Sequence, residues 1–251
     1  MDPEARNIDL GFFTYLDLRT EQLARSLLRL IYDQGKEFAP QVFEKRGRMF
    51  AAGTSDLDAL AESWSKSDSF VMRREDRYES ELAVTTLSLA SRFNLFKLWV
   101  EEEYFESESR VDCFLSLSVA IYGLLRPAYG KIHQTRDAIE LATVQDPRYG
   151  NTVVPIDLRK GLPGIYWANF FGPEYVELFG RRKLLAAACE RVVDLPDGGL
   201  LLVTVPSPLD PWQAGSRTRQ RVIREYLGED FFHHWGQSAP GKVPRFRYPK
   251  S

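Results

Sequence analysis

At 251 residues, 44% hydrophobic and 27% charged, the chain is long enough to bury a core unaided and too balanced to be disordered as a whole. Its 33 Lys and Arg against 35 Asp and Glu leave a net charge of -2, without the basic excess of a general polyanion binder. Two cysteines and three histidines exclude a disulfide framework and a cysteine zinc site, and leave few candidates for a general base or a metal centre.

The first residues, Met1-Asp2-Pro3-Glu4-Ala5-Arg6, are polar and lack the features of a secretory signal. No apolar run reaches the ~18 residues of a membrane span. The longest candidate, Val111 to Leu125, is broken by Ser116, Ser118 and Gly123. A cytosolic location is the expectation.

Residues 8–18 are rich in aromatic and β-branched types and read as an opening strand. Thr20 then precedes Leu23, Leu27, Leu28 and Ile31, an amphipathic spacing that predicts a helix capped at Thr20 and ending near Gly35. A short strand over Arg48–Ala52 leads to Ser55, placed to cap a helix from Asp56 to Ser65. Three strands follow, at Ser69–Arg73, Glu81–Ser88 and Phe93–Glu102. In the last, Asn94, Phe96, Leu98 and Val100 share one face, whereas Lys97 and Glu101 fall on the other, as in an antiparallel sheet covered on one side. The stripe Val111, Phe114, Leu115, Ser118, Ile121, Tyr122 and Leu125 predicts the covering helix, ended by Arg126-Pro127.

The second half begins with a strand near Tyr129–His133 and a short helix over Thr135–Ala142, then an exposed loop from Gln145 to Asn151. Gly164 to Gly172 reads as a buried strand, and Pro173 opens a helix that stops at Gly180. Ala188–Asp194 and Leu200–Val205, joined through Asp197-Gly198, form the clearest hairpin. A last helix runs over Ser216–Leu227, with Val222, Ile223 and Tyr226 as its apolar positions, and Gly228 ends it. The fold class is α+β, a mainly antiparallel sheet covered by helices in one compact domain spanning residues 1–251, with 145–151 as the candidate internal boundary.

Charge is unevenly spread: residues 1–126 hold 22 acids and 16 bases, and residues 127–251 hold 13 acids and 17 bases. The densest acidic stretch, Glu101-Glu102-Glu103-Tyr104-Phe105-Glu106-Ser107-Glu108, has five carboxylates in eight positions. It lacks the pattern of a calcium loop. Part of its acidity suits a helix start; the rest fits a contact surface for a basic partner, which would relieve the self-repulsion. Arg217, Arg219, Arg221 and Arg224 crowd the last helix, but Glu225, Glu229 and Asp230 follow, so a solvated face is expected. His233-His234 and His133 read as structural, and Cys113 and Cys189 as buried, inert thiols. No glycine-rich phosphate loop is present.

The stretch Gly164-Ile165-Tyr166-Trp167-Ala168-Asn169-Phe170-Phe171-Gly172-Pro173-Glu174-Tyr175-Val176-Glu177-Leu178-Phe179-Gly180, with Leu195-Pro196-Asp197-Gly198-Gly199 and Glu225-Tyr226-Leu227-Gly228-Glu229-Asp230-Phe231-Phe232, resembles the bacterial immunity proteins encoded beside polymorphic toxins, closest to the immunity protein 52 family. The resemblance covers roughly residues 160–231. It implies a cytosolic α+β antidote that binds and blocks a cognate nuclease toxin delivered by a contact-dependent route such as type VI secretion. It implies no catalytic residues, cofactor, metal, nucleic-acid or membrane partner. Glu101, Glu102, Glu103, Glu106 and Glu108 are the expected toxin contacts. The alternative is an enzyme of unrecognised class acting on nucleic acid or a phosphorylated small molecule through arginines and scattered carboxylates.

Overall fold

The structure, a computed structural model, describes residues 6–45, 47–86, 93–136, 143–146, 150–153, 156–209, 214–233 and 240–248. In chain order the strands are β1 (Asn7–Thr14), β2 (Val42–Lys45), β3 (Arg48–Ala51), β4 (Ser69–Arg74), β5 (Ser80–Thr85), β6 (Asn94–Glu101), β7 (Tyr129–Gln134), β8 (Thr143–Asp146), β9 (Gly150–Val153), β10 (Ala168–Phe171), β11 (Arg191–Asp194) and β12 (Leu200–Val203). The helices are α1 (Glu21–Gln34), α2 (Leu57–Ser65), α3 (Glu108–Leu125), α4 (Pro173–Phe179), α5 (Arg181–Leu185) and α6 (Ala214–Leu227). The class is α+β. The chain groups into two compact units, Asn7–Gly130, and Met1–Arg6 with Lys131–Ser251, so the division falls within β7 rather than at 145–151. No helix among the described residues is long and apolar enough to cross a membrane.

In the unit Asn7–Gly130, antiparallel strands pair in the order β1-β6-β5-β4-β2-β3. Register puts Ile8, Leu10 and Phe12 beside Val100, Leu98 and Phe96, all buried, which is the face that alternation assigns to the core. Phe12 meets Tyr122 of α3 edge-on at 6.1 Å, and Phe70 of β4 stacks on Trp64 of α2 at 5.7 Å, so the helices cover that face. The Trp64 indole donates to the Leu18 carbonyl (2.8 Å), fixing α2 to the turn after β1. On the opposite face, buried Asp9 is met by Lys97 at 2.8 Å.

Several local expectations are corrected. β1 ends at Thr14, whose hydroxyl donates to the Leu125 carbonyl (2.8 Å), rather than running to residue 18. Thr20 is the N-cap of α1, but its hydroxyl donates to the Asp17 carbonyl (2.9 Å) instead of accepting from the helix. Ser55 sits inside a 3-10 turn over Thr54–Asp56, and Asp56 takes the N-cap position of α2. The strand β2 was not foreseen; a tight turn holding Gly47, at φ 73, folds it against β3.

In the unit containing Lys131–Ser251, β10, β12 and β11 pair antiparallel, and Asp197-Gly198 turns the β11–β12 hairpin with Gly198 at φ 90. Only Ala168–Phe171 of the 164–172 stretch is a strand, yet Tyr166, Trp167, Phe170, Phe171 and Tyr175 are all at most 1% exposed. The aromatic part of the stretch that carries the family resemblance, Tyr166–Phe171, is therefore core. β8 pairs with β9, so residues 145–146 and 150–151 are strand rather than loop; residues 147–149 lie outside the described residues, as do 137–142 of the expected helix. On α6, Ile223 and Leu227 form the buried stripe, while Val222 and Tyr226 are exposed. One residue of displacement around a helix is about 100°, enough to turn both into solvent.

Candidate partner-binding surface

The acidic string is folded by its two aromatics. Glu101 ends β6, Glu102–Glu106 form a 3-10 turn, and Glu108 opens α3. Tyr104 and Phe105 are 1% and 2% exposed and turn inward. Tyr104 packs edge-on against Phe38 (5.3 Å), Tyr78 (5.4 Å) and Phe105 (5.2 Å), and Phe105 against Phe114 of α3 (5.0 Å). With the apolar residues pinned, Glu103 and Glu106 face solvent.

Strand register brings a second acidic segment to the same place. Arg74 and Ser80 are paired, as are Ser80 and Val100, so the β4–β5 connection lies beside the end of β6. There Glu101 Oε2 accepts from the Glu79 backbone N–H (3.1 Å). The result is a cleft of about 310 Å³ lined by Asp76, Arg77, Tyr78, Glu79 and the string's Glu101, Glu103 and Glu106. Tyr78 adopts a left-handed φ of 62°, a conformation costly for an aromatic residue, and is held by guanidiniums on its ring: Arg77 at 4.9 Å and Arg110 at 4.7 Å. Burial, reinforced by the Glu37 carboxylate, pushes the Tyr104 phenol up, so it stays protonated beneath the acidic rim.

Of the five predicted contacts, the cleft gathers Glu101, Glu103 and Glu106. Glu102 is half-buried and Glu108 is exposed at the start of α3, and neither lines it. Asp76 is already engaged by Arg74 and by the Gln41 amide (2.7 Å). The carboxylates of Glu103 and Glu106 make no ion pair among the described residues. The sequence reasoning missed Glu79 and Asp76, although pairing the strands Ser69–Arg73, Glu81–Ser88 and Phe93–Glu102 in antiparallel order would have brought them there.

The remaining candidates resolve into structural parts. Lys131 and His133 are buried, and both lie against the Tyr166 ring, at 4.1 Å and 5.2 Å from its centroid. His233 is buried and its backbone N–H donates to the Leu162 carbonyl (2.9 Å); His234 lies outside the described residues. Arg221 pairs with Glu225 (3.0 Å) and Arg224 with Glu229 (2.7 Å), so the arginine-rich helix carries its own counter-charges. Cys113 is exposed, against expectation, because it falls between Val111 and Phe114 on the far side of α3. Cys189 is half-buried, and burial pushes its thiol up to about 11. Among the described residues, no group of three His, Cys, Asp or Glu could hold a metal ion.

No protein-family model matches the sequence, and no curated protein matches it at a significant level. Among solved structures, the fold is similar to that of the Pseudomonas aeruginosa T6SS protein PA0821, with a TM-score of 0.59 and 12% identity over 94% of this chain and 78% of that one. The likeness is one of fold.

Proposed function

We propose that the chain is a cytoplasmic immunity protein of a polymorphic-toxin system, which binds a cognate toxin and neutralises it by stoichiometric protein–protein contact rather than by catalysis. The toxin is a nuclease delivered by type VI secretion. The observation that carries this reading is the cleft at which Glu79, Glu101, Glu103 and Glu106 converge with only Arg77 among them. A nuclease must hold a phosphodiester backbone, so its substrate cleft is basic. A rim on which carboxylates outnumber cations complements such a cleft and steers the encounter. The family resemblance of residues 160–231 and the fold shared with a T6SS protein support the same reading.

Co-expression with the toxin encoded beside it tests the proposal. Wild type rescues growth, whereas the triple variant Glu101→Lys, Glu103→Lys, Glu106→Lys loses rescue and binds about a hundredfold more weakly at low salt. The double variant Glu102→Lys, Glu108→Lys, which leaves the cleft lining intact, retains most of the affinity. Rescue by the triple variant equal to that of wild type would remove the acidic rim from the interface.

A further inference from the structure

The core-facing rows of the β1–β6 sheet continue past the point where helices cover them. Register aligns Leu10, Leu98, Leu82, Met72, Phe43 and Phe50 across six strands. The first four are at most 1% exposed, but Phe50 is 44% exposed. Here β2 and β3 stand beside α2 around a groove of about 780 Å³ with Phe43, Phe50 and Leu60 at its apolar base. Phe43 stacks on Phe50 at 5.5 Å and lies 5.9 Å from Phe70, so the base is continuous with the core.

The rim of the groove is cationic on the strand side. Lys45 and Arg48 are directly opposed across the hairpin on the groove face. Lys45 reaches the Ser63 hydroxyl of α2 at 3.4 Å. Arg48 has no side-chain partner among the described residues. Like charges directly opposed on one face destabilise a hairpin, and an anion between them reverses the sign. Asp56 sits on the helix side of the groove and makes no ion pair with either cation. β3 is the sheet edge, paired only with β2 among the described residues, and exposes Met49 on one face and Phe50 on the other. An open apolar edge is a template for a further strand.

We infer that this groove docks an extended segment of a partner protein, which adds as a strand to β3. An apolar side chain of the segment rests on Phe43 and Phe50, and a carboxylate two residues away on the same face sits between Lys45 and Arg48. The two-residue spacing follows from strand alternation, and the main chain supplies the pairing. A second copy of the chain fits poorly, because it would bring another Lys45–Arg48 pair against an edge strand, Arg48–Ala51, that carries no acid. The groove stands on β2, β3 and α2, apart from the acidic cleft at the β5 and β6 ends, and does not depend on the toxin-binding reading.

The test is an NMR titration of the full-length 15N-labelled protein with an end-blocked peptide, Thr-Val-Leu-Thr-Glu-Val-Thr. Shifts are expected in the amides of 48–51 and 59–63. Affinity should fall about tenfold when the peptide's Glu is replaced by Lys, and about tenfold in Arg48→Glu. Phe50→Ser should abolish the shifts, with thermal unfolding confirming that both variants remain folded. Three results overturn the inference: no saturable shift at these amides, equal binding of the Lys peptide, or sedimentation showing a dimer that Phe50→Ser dissolves.

Discussion

Replacing Tyr104 with alanine removes the side chain around which the acidic string folds. The ring is 1% exposed, bounded by Phe38, Tyr78 and Phe105 at 5.2–5.4 Å, with the Arg110 guanidinium 5.8 Å from its centroid. Those neighbours are themselves held, Phe38 and Phe105 by Phe114 and Tyr78 by two arginines, so the site cannot collapse and a cavity remains. Large aromatic-to-alanine changes of that kind cost ~3–5 kcal/mol. For a chain of this length each kcal/mol moves the melting temperature by about 2–4 °C, so a drop of ~10 °C is expected for Tyr104→Ala. Tyr104→Phe keeps the ring contacts and loses only the hydroxyl, a cost of ~1 kcal/mol. Glu103→Gln and Glu106→Gln, at exposed positions, should lie within about 0.5 kcal/mol of wild type. Thermal unfolding of the full chain followed by circular dichroism reads all four. A Tyr104→Ala protein melting within about 2 °C of wild type would show that the aromatic contacts do not hold the rim.

Ellman's reagent at mildly alkaline pH should label one thiol quickly, Cys113, and Cys189 slowly, since burial pushes the latter up to about 11; Cys113→Ser must abolish the fast phase, and a fast phase that survives refutes the assignment. Burial likewise pushes the Tyr32 phenol up from 10.0 to about 12, with its hydroxyl donating to the Pro40 carbonyl at 2.7 Å. The unfolded chain ionises first, so this residue's share of stability is complete below pH 10 and is lost as pH rises toward 12. Urea midpoints should therefore fall less steeply with alkaline pH in Tyr32→Phe than in wild type, and equal slopes would contradict the reading. Asn169, fully buried in β10, accepts from the Tyr166 N–H (3.1 Å) and donates to the Tyr166 carbonyl (2.9 Å). Asn169→Leu strands both backbone groups at about 1–3 kcal/mol each, which calorimetry should register as a fall of several degrees; an unchanged melting temperature would mean that those groups find other partners.

Where periodicity is long and the segment amphipathic, the sequence was enough. The α3 stripe from Val111 to Leu125 and the alternation of Phe96, Leu98 and Val100 are buried as read, because a helix of five turns or a strand in a one-sided sheet has one face to hide. The β2–β3 hairpin escaped because Val42–Lys45 alternates too briefly for a pattern and half its members are exposed. α5 escaped because Arg181–Leu185 is little more than one turn and buries only Leu184. Residue type alone places caps at Thr20 and Ser55, but hydroxyls compete among nearby backbone groups, and only geometry decides which one they bond.

The candidate site was half legible for a related reason. A run of carboxylates counts charge along the chain, whereas a partner meets charge around one opening. Tyr104 and Phe105 cut the run in two by turning inward, and Glu102 and Glu108 leave the group. The antiparallel pairing of β4, β5 and β6 then supplies Glu79 from more than twenty residues away in sequence. The same register carries the apolar rows outward to Phe43 and Phe50 and ends them between Lys45 and Arg48. One set of strand pairings thus gathers the acids at the meeting of β5 and β6 and the cations at the β2–β3 edge, so a net charge near zero conceals two surfaces of opposite sign.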